Sequence, residues 1–478
     1  MKQIAIIGGG ISGLSTAYYL NKFLKDKKIE AQIYIFEKET NLGGSITTLN
    51  KNGFIIEGGP DCFISEKPWA LKLCKELGIG TEVVGTNEEN KKTFILVKKK
   101  LIEMPEGLML MIPTKIKPFI KTPLISLAGK IRMGMDLFIP AKKDGADESL
   151  GSFVRRRLGQ EALDKIAEPL VAGIHAGNPE KMSIKNTFPR FLEMEQKYGS
   201  LIKGMLARMN EAQKFTIKNQ TGEPKLTLFM TLKEGLAELI DTLKINLLNN
   251  TKIMIKNNAL SINKITNGNK ISYEIKTDVF TLKDIDTVIL TTPAYAASEL
   301  VKNFDNELSS ILSNFPYVSA ATVSVGFKRK DIKHPLQGFG FVVPKTEKRK
   351  IMATTWTSSK FSHRCGKDYV LLRGFLGGAA NEKMAELEEK ELVETVLSEW
   401  NSIMGISAEP VIQKAYRWIK GMPQYVIGHE NTVEKIEKLA SHHPGLIING
   451  NYLRGVGIAD CIHNSEITAQ KIADTLIP

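Results

Sequence analysis

The segment Gly8-Gly9-Gly10-Ile11-Ser12-Gly13 lies between an apolar run at 3–7 and a helical pattern carried by Leu14, Ala17 and Tyr18. No other feature constrains the chain as much. A short all-apolar strand suits a parallel sheet buried on both faces. G-x-G-x-x-G between such a strand and a helix is the turn that receives a dinucleotide pyrophosphate. Gly8 permits the tight turn, Gly10 admits the phosphates and Gly13 lets helix and strand pack closely. The helix start then offers free N–H groups and the positive end of its dipole. Gly8, Gly9, Gly10, Ile11, Ser12 and Gly13 are therefore candidate cofactor-binding residues. A second apolar run, 32–36, ends in Glu37, followed by Lys38. A carboxylate there accepts both ribose hydroxyls and disfavours a 2′-phosphate, which argues against NADP. The alternative is a glycine-rich turn with a surface glutamate.

Two further glycine-rich turns follow: Gly43, Gly44 and Ser45, then Gly59, Pro60, Asp61 and Cys62. Turns so closely spaced imply a backbone running along an extended ligand. This stretch resembles the flavoprotein amine oxidase superfamily, which implies FAD. The sequence departs from that pattern at two places. Asn41 stands where the family usually has Arg, and Ser45 where it has Arg or Lys, so a charge contact from position 45 is lost. Near the other end of the chain, an apolar run at 446–448 leads to Gly450, then Val456, Gly457 and Ile458, then a helical pattern through Ala469, Ile472, Ala473 and Leu476. In flavoproteins of this class such a helix start faces the flavin. A capped helix with no ligand is the alternative. The middle of the chain reads as a turn and helix at 228–243 and strands at 251–265, 271–277 and 280–294. The resemblance puts the Ala259 backbone against adenine.

Between these pieces, 101–210 mixes Leu, Ile, Met and Phe with Pro and Lys, and helical periodicity continues through 148–174. Exposed apolar residues ringed by cations suit a membrane interface; a helical insertion packed on itself is the alternative. Residues 298–420 alternate strands and helices, an α+β unit assigned to substrate. Hydrophobic residues are 42% of the 478 and charged residues 24%, which excludes a disordered or fibrous chain. The net charge of +13 clusters at 91–100 and in two later lysine-rich runs. No nucleic-acid motif accompanies them, so a nucleic-acid partner is not expected; a solvated face or attraction to anionic lipid fits. The four cysteines form no C-x-x-C pair, so a reducing compartment is expected. Neither a secretory signal nor a spanning helix is indicated. No H-E-x-x-H or Ser-His-Asp pattern stands out.

The segments 59–70, 104–119, 168–191, 417–429 and 450–462 together resemble the porphyrinogen oxidases of haem synthesis, of the bacterial oxygen-dependent protoporphyrinogen or coproporphyrinogen oxidase type. The likeness runs through the chain in order. It implies an α/β fold: a glutathione-reductase-like FAD-binding Rossmann domain (1–62, 225–297, 440–478), interrupted by an α+β substrate-binding domain (63–104, 298–439) and a helical membrane-facing domain (105–215). It implies an enzyme that takes six electrons from a porphyrinogen, with FAD as acceptor, dioxygen as oxidant and hydrogen peroxide released. No side chain is then needed as catalytic base or nucleophile. By the same resemblance Gly173, Ile174 and His175 line the substrate cavity, Lys67 meets a propionate, Phe375 packs on the macrocycle, and Trp418 sits near the isoalloxazine, with Trp356 a second candidate. Expected partners are porphyrinogen, dioxygen, the anionic inner face of the cell membrane and other haem-pathway enzymes; the expected location is cytoplasmic or peripheral on that membrane. Another FAD oxidase or desaturase of the superfamily, or a dinucleotide-binding partner without activity, are the rival readings.

Overall fold

The computed structural model describes residues 1–109, 111–218, 227–268 and 270–476. Its centre is a five-stranded parallel sheet. The strands lie in the order Thr251–Met254, Ala31–Phe36, Lys2–Ile7, Thr287–Leu290 and Leu446–Ile448. Ile4, Ala5, Ile6, Val288, Ile289 and Leu290 are all fully buried, as a sheet covered on both faces requires. The first helix, Ile11–Asp26, and the C-terminal helix, Ile458–Thr475, pack together on one face through Leu14, Ala17, Leu20, Ile462, Ala469 and Ala473. The other face is covered by an antiparallel sheet (Ala259–Asn267, Lys270–Thr277, Thr281–Ile285) and the helices Ala294–Val301, Asn306–Ser313 and His429–Ser441.

A second, seven-stranded sheet runs in the order Ile412–Pro423, Tyr317–Lys328, Tyr369–Gly377, Ile351–Thr355, Gly340–Val342, Thr93–Val97, Lys100–Glu103. The helix Glu389–Met404 packs Leu392, Val396 and Trp400 against Phe327 and Leu372 of this sheet. Trp356, considered for the flavin pocket, is instead 1% exposed in this core, beside Phe94 and His334.

Several expected elements differ in detail. The stretch 251–265 is two strands, because Lys256 turns the backbone left-handed (φ 52°). The stretch 280–294 also divides, at Asp286, into the strands Thr281–Ile285 and Thr287–Leu290 of the two stacked sheets. Phe229–Leu232 is a strand rather than a turn; it pairs with Phe63–Ile64 and Val83–Gly85 before the helix Ala237–Leu247. Residues 63–85 accordingly join the core beneath the first helix through Phe63, Ala70, Leu73 and Cys74, and only 93–103 join the seven-stranded sheet. The 225 boundary lies outside the described residues.

Among its described residues the stretch 101–115 is not helical: it holds the strand Lys100–Glu103 and the two-residue strands Leu108–Met109 and Ile112–Pro113. From Ile116 to Lys218 helices surround their own core of Phe119, Leu124, Met133, Phe153, Val154, Ile166, Phe191 and Met194. A buried ion pair pins that core. Arg157 Nε donates to Asp136 Oδ1 at 2.6 Å, Ser200 Oγ donates to Asp136 Oδ2 at 2.6 Å, and the guanidinium also holds the carbonyls of Ile139 and Gly199. Ile116, Ile120, Leu127, Ile131, Met135 and Phe138 nevertheless stay exposed on the outside, Phe138 at 85%. The insertion thus packs on itself and still presents an apolar surface.

Candidate cofactor and substrate site

The glycine turn after the first strand takes the shape its spacing predicts. Gly8 has φ +112°, which a side chain would strain. A Cβ on Gly13 would collide with the carbonyl oxygen of Gly8. A Cβ on Gly10 would meet nothing within 4 Å. Gly10 is also the N-cap of the first helix and supplies no side-chain cap, so the helix start opens onto vacant space. This is the cradle a pyrophosphate needs, and the residues present fit a dinucleotide there.

Glu37 stands beside it, 8% exposed. One carboxylate oxygen accepts the Gly9 N–H at 2.8 Å and the other the Glu39 N–H at 2.9 Å. Each oxygen keeps lone-pair capacity for a hydroxyl. The Asn257 N–H donates to the Glu37 carbonyl at 2.9 Å, which brings the 256–259 crossover and Ala259 alongside. Lys38 is exposed and lies 3.6 Å from Glu39.

The second turn continues the line. The Gly43 N–H donates to the Gly9 carbonyl at 2.8 Å, and Gly44 passes directly over Gly10. Ser45 is exposed, and its carbonyl abuts Gly59, where a Cβ would collide with it. Three turns distant in sequence therefore form one continuous edge. The C-terminal helix completes it. Its N-cap, Gly457, again lacks a side-chain cap; Val456 is half-buried and Ile458 buried. Ser465 Oγ donates to the Ser12 carbonyl at 2.9 Å, and Asn449 Nδ2 bonds Thr16 and Ser465, so both helix starts are locked side by side. Gly450 plays a different part: it is pressed against the Tyr452 ring and closes the turn.

Sequence reasoning missed what lies behind the third turn. Thr322 Oγ1, Arg373 and Trp418 Nε1 all donate to the Gly58 carbonyl, at 2.8, 3.0 and 3.0 Å, and Arg373 also reaches the Gly59 carbonyl at 2.5 Å. Lys360 pairs with Asp61 at 3.0 Å and Arg364 with Glu57 at 2.9 Å. Burial opposes ionisation of Asp61, yet the Lys360 ammonium and then Arg373 hold it well below the usual carboxylate range. Burial, and then Asp61, push the Cys62 thiol up to about 12, so it is no nucleophile at neutral pH. The one available signal was an arginine within the otherwise apolar strand Tyr369–Gly377.

The residues considered for substrate fall into two neighbouring groups. The helix Glu168–His175 ends where Ala176 turns left-handed (φ 50°). Gly173 and Ile174 are exposed; a Cβ on Gly173 would lie 3.5 Å from Val342 and 4.0 Å from Ala353. Ala353 pairs in register with Phe375, which puts Phe375 on the adjacent strand. On the other side, Lys67 forms a 2.6 Å ion pair with Asp460, in the first turn of the C-terminal helix. Burial, and then the charge of Lys67, push His175 down to about 4. His175 is therefore neutral at physiological pH.

Residues 11–473 match the family described as flavin containing amine oxidoreductase. Among curated relatives, the chain is 37% identical to coproporphyrinogen III oxidase of Bacillus subtilis (strain 168), covering 96% of each protein. It is 34% identical to coproporphyrinogen III oxidase of Staphylococcus aureus (strain NCTC 8325 / PS 47), over 98% of this chain and 99% of that one. A crystal structure from Exiguobacterium sp. 255-15, proposed to be a protoporphyrinogen oxidase, superposes with a TM-score of 0.85 at 31% identity over 99% of both chains. With its dinucleotide cradle, its paired helix starts and a likeness running nearly end to end, the chain belongs to the FAD-dependent flavin containing amine oxidoreductases and, within them, to the porphyrinogen oxidases.

Proposed function

We propose that this protein oxidises coproporphyrinogen III to coproporphyrin III in haem biosynthesis, using FAD and dioxygen. The observation that carries the reading is the near-full-length likeness to two bacterial coproporphyrinogen III oxidases. Six electrons and six protons leave the tetrapyrrole in three two-electron steps, and three dioxygen molecules become three hydrogen peroxide molecules. FAD, when bound, supplies hydride acceptance and passes the electrons to dioxygen.

The chain's own residues then have four tasks. Gly8–Gly13, Glu37, Gly43–Ser45 and the start of the C-terminal helix hold the cofactor. Gly173, beside Ala353 and Phe375, offers a surface without a side chain to a large flat macrocycle. Lys67 meets a propionate by exchanging it for Asp460. His175, neutral and packed edge-on against Phe188, shapes the cavity and does not move a proton. Expected from this reading is a higher kcat/KM for coproporphyrinogen III than for protoporphyrinogen IX, measured by porphyrin fluorescence under air. The reverse preference would transfer the assignment to protoporphyrinogen IX.

The proposal includes a peripheral membrane position. Among the described residues no helix is long and apolar enough to cross a membrane. The exposed Ile116, Ile120, Leu127, Ile131, Met135 and Phe138 lie among Lys117, Lys121 and a Glu106-paired Lys115, and together suit an anionic surface. Each cation near such a surface contributes ~1 kcal/mol. Changing Lys115, Lys117 and Lys121 to Glu is therefore expected to abolish sedimentation with phosphatidylglycerol vesicles. Unchanged sedimentation would show that this face serves something other than lipid.

A further inference from the structure

One buried cluster carries more positive charge than its own carboxylates balance. Lys360, Arg364 and Arg373 are each under a tenth exposed. Asp61 answers Lys360 and Glu57 answers Arg364. Arg373 pairs with no carboxylate among the described residues. It donates to the Gly58 and Gly59 carbonyls, lies 5.0 Å from the centroid of the Phe375 ring, and leaves Nε without a partner. Burial pulls its pKa down, but a guanidinium still stays charged. Asp61 and Glu57 lie near enough to favour its charge, but each already has its own ion-pair partner, so the three cations face two carboxylates. A buried positive charge left over in this way is costly unless a further anion completes it.

The location of the cluster selects the anion. Glu37 marks the adenosine ribose and Gly10 the pyrophosphate, which fixes the direction of the cofactor. Gly43 to Ser45 continue that direction, and the Ser45 carbonyl abuts Gly59. The turn at 58–62 thus stands at the flavin end. We propose that Arg373 is a positioning residue with an electrostatic task. It clamps the Gly58 and Gly59 carbonyls and sets an uncompensated positive charge behind the flavin, which favours added negative charge there. The cofactor's electronics are tuned by such charges in general. The proposal rests on the flavin assignment and is independent of which porphyrinogen is oxidised.

The test uses the holoenzyme and two readouts: the two-electron midpoint potential, by equilibration with reference dyes, and the affinity for sulfite, an anion that adds to oxidised flavin. Arg373→Met is expected to make reduction at least tenfold less favourable, about 30 mV for two electrons, and to weaken sulfite binding by a similar factor. Arg373→Lys retains most of both. Thr322→Val removes a donor to the same carbonyl without touching charge, and is expected to leave both unchanged. Unchanged values in Arg373→Met, losses in Arg373→Lys as large as those in Arg373→Met, or an equal shift in Thr322→Val would each overturn the proposal. Should Arg373→Met fail to hold flavin, Glu57→Gln tests the same charge in the opposite direction. It leaves Arg364 uncompensated and is expected to raise the potential and tighten sulfite; no shift would overturn the proposal. A wild-type protein without flavin would overturn the cofactor assignment instead.

Discussion

Gly10→Val is expected to purify colourless and folded. The wild type is expected to purify yellow, with one non-covalent FAD per chain. A Cβ at position 10 meets no protein atom within 4 Å, and the backbone there (φ −75°, ψ −178°) is open to any residue. The branched side chain therefore costs the fold little and occupies the space left for the pyrophosphate. Gly13→Ala is the contrasting variant: its Cβ strikes the Gly8 carbonyl and disturbs the packing of helix on strand itself. Circular dichroism and the flavin absorbance at saturating FAD separate the two outcomes. Full flavin content in Gly10→Val would remove the glycine turn from the cofactor site.

Arg157→Leu is expected to destabilise the helical layer by about 3–5 kcal/mol, the usual cost of leaving one member of a buried ion pair alone. Arg157 and Asp136 are both fully buried. Removing the guanidinium strands the Asp136 carboxylate, whose remaining bonds come from Ser200 Oγ and the Ile202 N–H. The companion Asp136→Leu leaves the cation with only the longer Glu195 ion pair, at 3.5 Å. The double variant is expected to regain much of the loss, because two well-packed apolar side chains can replace a buried pair at little net cost. Glu195 keeps its own partner throughout, Arg156 at 2.6 Å. Urea unfolding followed by limited proteolysis within 116–209 measures the effect. A single variant that unfolds with the wild type would show that the pair contributes nothing to this layer.

These two sites differ in how far they could be read from the sequence. The cofactor cradle was legible because its demands fall on the backbone: a positive φ at Gly8 and close contact at Gly13 require glycine for the fold, a pyrophosphate would require it at Gly10, and glycine spacing survives in a single sequence. The parallel strands were legible for a similar reason, since burial on both faces leaves an unbroken apolar run. The break at Lys256 was not, because lysine does not announce a left-handed turn. The clamp on Gly58 was hidden for a third reason. Its acceptor is a carbonyl, which every residue has, and its donors come from strands at 317–328, 369–377 and 412–423. Pairing across such distances is a property of topology. The same holds for Lys67 and Asp460, which are 393 positions apart: the lysine was visible as a candidate, and its partner was not.

Coproporphyrinogen III added without oxygen to the yellow protein tests the central claim most directly. The site described here predicts loss of the oxidised-flavin absorbance as each flavin takes two electrons and then, when air is admitted, return of the yellow colour with hydrogen peroxide and appearance of porphyrin fluorescence once the tetrapyrrole has given up six electrons. A flavin that keeps its oxidised spectrum in excess coproporphyrinogen III, and equally in excess protoporphyrinogen IX, would contradict the account.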